Sequence, residues 1–120
     1  AGAAIMDQAL LTGATDSWVM YYDVWYKGIA YEDPEHYRDR SPLTHVKNVT
    51  TPILILSNAR DTDVVLAQGI QFHRALRYLG VETHLVVFPH EPHSSRMNEE
   101  AHRVDVIQRF VGWLEKHMKE

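Results

Sequence analysis

The sequence predicts an α/β layered fold in which parallel strands carry covering helices. Ile53-Leu54-Ile55-Leu56 and the stretch from Thr83 to Phe88 are short apolar runs bounded by turn residues, and Leu66 to Leu79 between them places its apolar residues at mostly helical spacing. A strand, a helix and a second strand in that order need a crossover, which is right-handed and leaves the strands parallel. Two polar residues, Asp61 and His93, each follow one of these strands just beyond its carboxyl end.

Taken in chain order, Ala3 to Met6 is the first candidate strand, short and continuously apolar as suits a strand covered on both faces. The opening run Ala1-Gly2-Ala3-Ala4-Ile5-Met6-Asp7 has no initiator Met and reads as a strand already under way, so the expectation is a piece of a larger domain. From Leu10 to about Tyr37 the chain is dense in aromatics and punctuated by Gly13, Gly28 and Pro34, which predicts short helices outside the sheet. Asp33 is placed to cap a helical turn whose first residue is Pro34, where the missing N–H costs nothing, and Ser41-Pro42 ends it. Pro52 introduces the central buried strand, Ile53 to Leu56.

The next helix carries Ile70, Phe72, Leu76 and Leu79 and meets Gly80 at its stop. Thr83 to Phe88, rich in β-branched and apolar residues, is the following strand and ends at Pro89. Val104, Ile107, Phe110, Val111, Leu114 and Met118 recur at three- and four-residue steps and predict a C-terminal helix with one wide apolar face, starting near Asn98-Glu99-Glu100. The expected whole is three strands with two covering helices.

At 120 residues and 45% hydrophobic content the chain can build one packed core. Twelve Lys+Arg against sixteen Asp+Glu give a net charge of −4, and the basic residues are scattered, which argues against nucleic acid as a partner. No apolar run approaches the roughly 18 to 20 residues that a membrane span needs, and no membrane partner is expected. The lack of cysteine removes disulfides and thiolate metal sites and fits a cytoplasmic protein.

In open α/β sheets functional residues gather at the carboxyl ends of the strands, so Asp61 and His93 are expected to be neighbours on one rim. A carboxylate that accepts from a histidine Nδ1–H fixes the tautomer and steadies the imidazolium formed when Nε2 takes a proton from a serine. Asp63, in the same loop, is the runner-up acid, and His90 competes with His93 as base. No metal site is expected. His90 and His93 lack the spacing that puts two imidazoles on one helix face, and Pro92 argues against a helix there. Ser17, Ser41, Ser57, Ser94 and Ser95 lack flanking glycines at the spacing of a G-x-S-x-G nucleophile turn and read as caps or turns.

These segments resemble the end of the catalytic domain in the prolyl oligopeptidase family of serine peptidases, which includes acylaminoacyl and dipeptidyl peptidases. The resemblance spans the chain and is strongest from Ser41 to His93. It rests on Ser41-Pro42, on Thr51 through Asp61 to Val64, on Gln68 to Leu76 with its Gln, Phe and Ala-Leu spacing, and on Phe88-Pro89 followed by His93. The resemblance implies residues 1–120 are the C-terminal portion of an α/β-hydrolase fold, with Asp61 as acid and His93 as base. Chain order in such enzymes is Ser, Asp, His, so the nucleophile and the oxyanion hole belong to polypeptide before Ala1. No cofactor is called for. The implied substrate is a short peptide or acyl-peptide, and Trp18, Tyr21, Tyr22 and Trp25 are candidates for lining its cleft.

Ser57-Asn58 stand where family members carry His-Gly, Val65 where they carry Pro, and Ser94 where Gly often follows the histidine. Asn58 in place of Gly is expected to alter the turn that aims Asp61, since Gly and Asn tolerate a left-handed backbone. Two other readings stay open. One is a dienelactone-hydrolase-like esterase, since strand-Asp-helix-strand-His is shared across the wider fold. The other is a non-catalytic module packing on the remainder of a hydrolase domain, another partner or a copy of itself, because a thin slice of sheet leaves edges and apolar faces uncovered.

Overall fold

A computed structural model describes residues 2–93 and 97–118; Ser94 and Ser95, read above as turn residues, lie outside them. The elements run α1 (Gln8–Ala14), a π-helical turn (Met20–Tyr26), α2 (Pro34–Asp39), a 3-10 segment (Pro42–Asn48), β1 (Ile53–Asn58), α3 (Ala67–Tyr78), β2 (Thr83–Phe88) and α4 (Glu100–His117). β1 and β2 pair in parallel, from Ile53 opposite Thr83 to Asn58 opposite Phe88. The crossover through α3 therefore brings the carboxyl ends of both strands to one rim, as expected.

The first expected strand does not form among the described residues. Gly2 makes only an isolated parallel bridge to Leu56, and the Ala3 N–H donates to the Leu56 carbonyl at 3.3 Å. Two local effects end the extended run. Ala3 has φ of 42°, outside the strand region. The N–H groups of Met6 and Asp7 turn away to the side-chain oxygen of Gln68, at 3.0 and 2.7 Å, and the Asp7 carboxylate then caps α1 by accepting from Leu10 N–H at 3.0 Å. The sheet thus has two strands, with Gly2 marking where a neighbour touches the far edge of β1.

The core lies where α3 packs across β1, with Met6, Ile55, Phe72 and Leu76 buried together and Leu43, Val46, Val49 and Leu85 around them. Full burial of Leu76 contributes roughly 1.5–3 kcal/mol. The close approach of α3 needs Gly69, since a Cβ there would lie 2.3 Å from Ser57 Oγ and 3.3 Å from Ile55 Cγ2. α3 stops in a Schellman motif: Gly80, at φ of 76°, donates to Arg77 O, and Val81 N–H reaches back to Leu76 O at 3.0 Å.

α2 starts as read, with Asp33 accepting from His36 N–H and Pro34 in the first turn. Its Tyr37 is buried, stacks on Tyr26 at 4.6 Å and donates to the Gly28 carbonyl. α4 forms where the periodicity predicts, but its apolar stripe is not covered among the described residues: Val104, Ile107, Phe110, Val111, Leu114 and Met118 are all exposed. A two-stranded sheet is too narrow to cover it. Instead the helix leans on the sheet through the contact of Trp113 with His84 and through the Lys116–Glu82 ion pair. None of these helices is long and apolar enough to cross a membrane.

Candidate active site

The rim loops after β1 and β2 are stitched to each other by backbone. Ala59 N–H donates to Phe88 O and Arg60 N–H to Glu91 O, both at 3.0 Å. Asn58, the last residue of β1, adds a side-chain bond from Nδ2 to the Pro92 carbonyl at 2.7 Å. Asn58 is not in a left-handed conformation, so the expectation that it reshapes the turn through φ is corrected; the left-handed residue of this rim is His90, at φ of 67°.

This stitching sets Asp61 against His93. Nδ1 of His93 lies 3.0 Å from Oδ1 and 2.9 Å from Oδ2 of Asp61. Oδ1 also accepts from the N–H of Asp63 and of Val64, at 3.0 and 2.7 Å, which holds the buried carboxyl group in one rotamer. Asp61 is thus an acceptor on every side, so Nδ1 is the donor of this pair. The Asp61 side chain is 1% exposed and that of His93 37%, so the carboxylate is sealed while the imidazole reaches solvent.

Asp63 is brought to the same imidazole from the other side, with Oδ2 3.5 Å from Nε2. That is beyond the usual reach of an N–H···O bond, so Nε2 remains available. Asp63 is held by Thr15 Oγ1, which donates at 2.9 Å. Next to it Thr62 Oγ1 donates to Asp16 at 2.6 Å and holds that carboxyl below its ordinary range. Of the two candidate acids, Asp61 therefore meets Nδ1 and Asp63 faces Nε2. His90 sits exposed at the corner of its loop, while His93 takes the carboxylate.

The aromatic candidates divide. Burial, and then the charge of Asp63, push the Tyr21 phenol above its ordinary pKa. Trp25 is exposed and packs on Tyr21 with ring centres 6.2 Å apart. Trp18 and Tyr22 line a groove of about 610 Å³ against α1 and Pro34, whose lining includes neither rim loop.

Two contributors to the rim escaped the sequence reading. Asn58 was noticed only as a departure from a pattern. Glu91 carries no expectation from the sequence, yet it is fully buried: Oε2 accepts from Asn98 N–H at 2.6 Å, and Oε1 from Glu99 N–H at 3.0 Å and from His102 Nδ1 at 2.7 Å. Burial on its own raises the Glu91 pKa, but these donors outweigh it and hold the carboxyl below its ordinary value. Glu91, Glu99 and His102 are also the group of potential metal ligands that comes together among the described residues. Both Glu91 oxygens are already occupied by N–H donors, so the cluster is explained as an anchor for the residues leading into α4.

Comparison with known proteins now decides the family. The model of the prolyl oligopeptidase family matches residues 1–120. The chain belongs to the prolyl oligopeptidase family. Among relatives, it is 35% identical over 107 residues to the uncharacterized peptidase YuxL of Bacillus subtilis (strain 168), covering 88% of this chain and 16% of that protein. It is 31% identical over 91 residues to acylamino-acid-releasing enzyme 1 of Oryza sativa subsp. japonica, covering 76% of this chain and 12% of that one. The structure superimposes on the acylaminoacyl peptidase of Pyrococcus horikoshii with a TM-score of 0.89 at 26% identity, over 99% of this chain and 20% of that one. The architecture is accordingly that of an α/β hydrolase, and the chain spans less than a quarter of the length of these relatives.

Proposed function

We propose that residues 1–120 are the acid- and base-bearing part of a serine peptidase domain whose nucleophile lies in preceding polypeptide, and that the whole protein hydrolyses short peptides or acyl-peptides. The observation that carries this reading is the contact of His93 Nδ1 with both oxygens of a buried Asp61, at 3.0 and 2.9 Å, on the rim where both strands end. Similarity to proteins named for acylaminoacyl peptidase activity supports the substrate class.

In the proposed reaction a serine Oγ attacks the scissile carbonyl while Nε2 of His93 takes its proton, and Asp61 stabilises the resulting imidazolium through Nδ1–H. Collapse of the tetrahedral intermediate breaks the C–N bond as Nε2 returns the proton to the leaving amine. Water then attacks the acyl-enzyme, giving its proton to Nε2, which passes it back to serine Oγ as the acid product leaves. The remainder of the domain supplies the oxyanion hole. An apolar cleft of about 460 Å³ between Gly2, Ala3 and Leu56 on one side and Arg103, Val106 and Ile107 on the other supports this reading, since such a surface is stable once more of the domain covers it.

The test is hydrolysis of an N-acetyl-alanine p-nitroanilide by the full-length protein. Wild type is expected to turn it over and His93→Ala to lose roughly 10³-fold or more in kcat. Full activity of His93→Ala would overturn the assignment. The uncovered stripe on α4 favours the second reading, an association module, and an inert full-length protein that self-associates through α4 would support it.

A further inference from the structure

We propose that Glu91 is a positioning residue for His93, acting through the start of α4. The inference rests on the role of His93 proposed above and asks what holds its loop in place.

The loop from Pro89 to His93 is fastened on two flanks. Towards Asp61 it is held by its own carbonyls, Glu91 O to Arg60 N–H and Pro92 O to Asn58 Nδ2. Those bonds fix the loop relative to β1 and leave its other flank free to swing. The Glu91 side chain closes that flank. It is 0% exposed and takes the two peptide N–H groups leading into α4 together with the His102 imidazole. His102 is itself placed by its ring contact with Phe88, the last residue of β2, at 5.4 Å, and its Nε2 lies 3.6 Å from Glu99 Oε2. The carboxylate thus joins the end of β2, the His93 loop and α4 into one unit, two residues from the imidazole.

A carboxylate is required for this. One oxygen meets Asn98 N–H and the other meets Glu99 N–H and His102 Nδ1, so all three contacts need acceptors. A glutamine would turn an amide NH₂ against at least one N–H, and the loop would have to shift. A shift of about 1 Å in a reacting group costs on the order of 10²-fold in rate.

The experiment uses the full-length protein with Glu91→Gln, His102→Ala, His102→Gln and His93→Ala, assayed for p-nitroanilide hydrolysis at a temperature where circular dichroism shows each to be folded. Glu91→Gln is expected to lower kcat about 10- to 100-fold with KM within about twofold, and to weaken the downfield Nδ1–H resonance of His93, identified as the one that disappears in His93→Ala. His102→Ala is expected to lower kcat, and His102→Gln, which keeps an N–H donor towards Glu91, to recover most of it. Folded Glu91→Gln with unchanged kcat and resonance would overturn the inference while leaving the role of His93 intact. If Glu91→Gln does not fold, equal kcat in His102→Ala and wild type would overturn it instead. Activity in His93→Ala would overturn both this inference and the reading beneath it.

Discussion

The side-chain amide of Asn58 donates to the Pro92 carbonyl at 2.7 Å, tying the last residue of β1 to the residue just before His93. The two strands already bring their rims together, and this bond adds a side-chain tie between them. Asn58→Ala leaves a carbonyl without its donor and is expected to destabilise the protein by about 1–3 kcal/mol. Asn58→Asp, which faces that carbonyl with another acceptor, is expected to be worse. Urea denaturation of the three proteins checks the order.

The two acids around His93 separate by mutation. Asp61→Asn replaces the acceptor of Nδ1–H and favours the wrong tautomer, with an expected loss of roughly 10⁴-fold in kcat. Asp63→Asn removes a charge from the flank of Nε2 while its remaining side-chain oxygen can still accept from Thr15, and it is expected to stay within about tenfold of wild type. If kinetics reversed that order, Asp63 would be the acid.

Glu91 makes acid stability pH-dependent. Its carboxyl is held below the ordinary value of 4.5 in the folded protein, so its contribution is present above that value and is lost as pH falls through the lower folded value. The gap in melting temperature between wild type and Glu91→Gln is expected to be full near neutrality and to narrow below about pH 4.5. A gap that stayed constant into acid would show that the charge of Glu91 contributes nothing.

Gly69 is a packing constraint. A Cβ 2.3 Å from Ser57 Oγ forces that hydroxyl to another rotamer or shifts α3 against β1, so Gly69→Ala is expected to destabilise by about 1–3 kcal/mol. Ser57→Ala should recover part of that loss, because it removes the atom met first. A double-mutant cycle by thermal denaturation reads the coupling.

What the sequence made legible follows the range of the interactions involved. The run Ile53 to Leu56, the α3 periodicity and the stop at Gly80 are local signals, and the structure follows them. The meeting of Asp61 with His93 was legible because a parallel crossover admits one arrangement of strand ends. Ala3 to Met6 misled because the pairing begun by Gly2 and Ala3 against Leu56 is not continued, and the N–H groups of Met6 and Asp7 are drawn to Gln68 instead. The α4 stripe was read correctly as apolar, while its coverage depends on surfaces that a two-stranded sheet does not provide. The roles of Asn58 and Glu91 were hidden because their partners, Pro92 and His102, are chosen by tertiary packing rather than by spacing.

The most direct test of the central claim is to label the full-length protein with a fluorophosphonate and map the modified serine by mass spectrometry. The account predicts one adduct, on a serine preceding residue 1, with labelling lost in His93→Ala and Asp61→Ala and absent from residues 1–120 alone. An adduct on Ser17, Ser41 or Ser57, or undiminished labelling of His93→Ala, would contradict it.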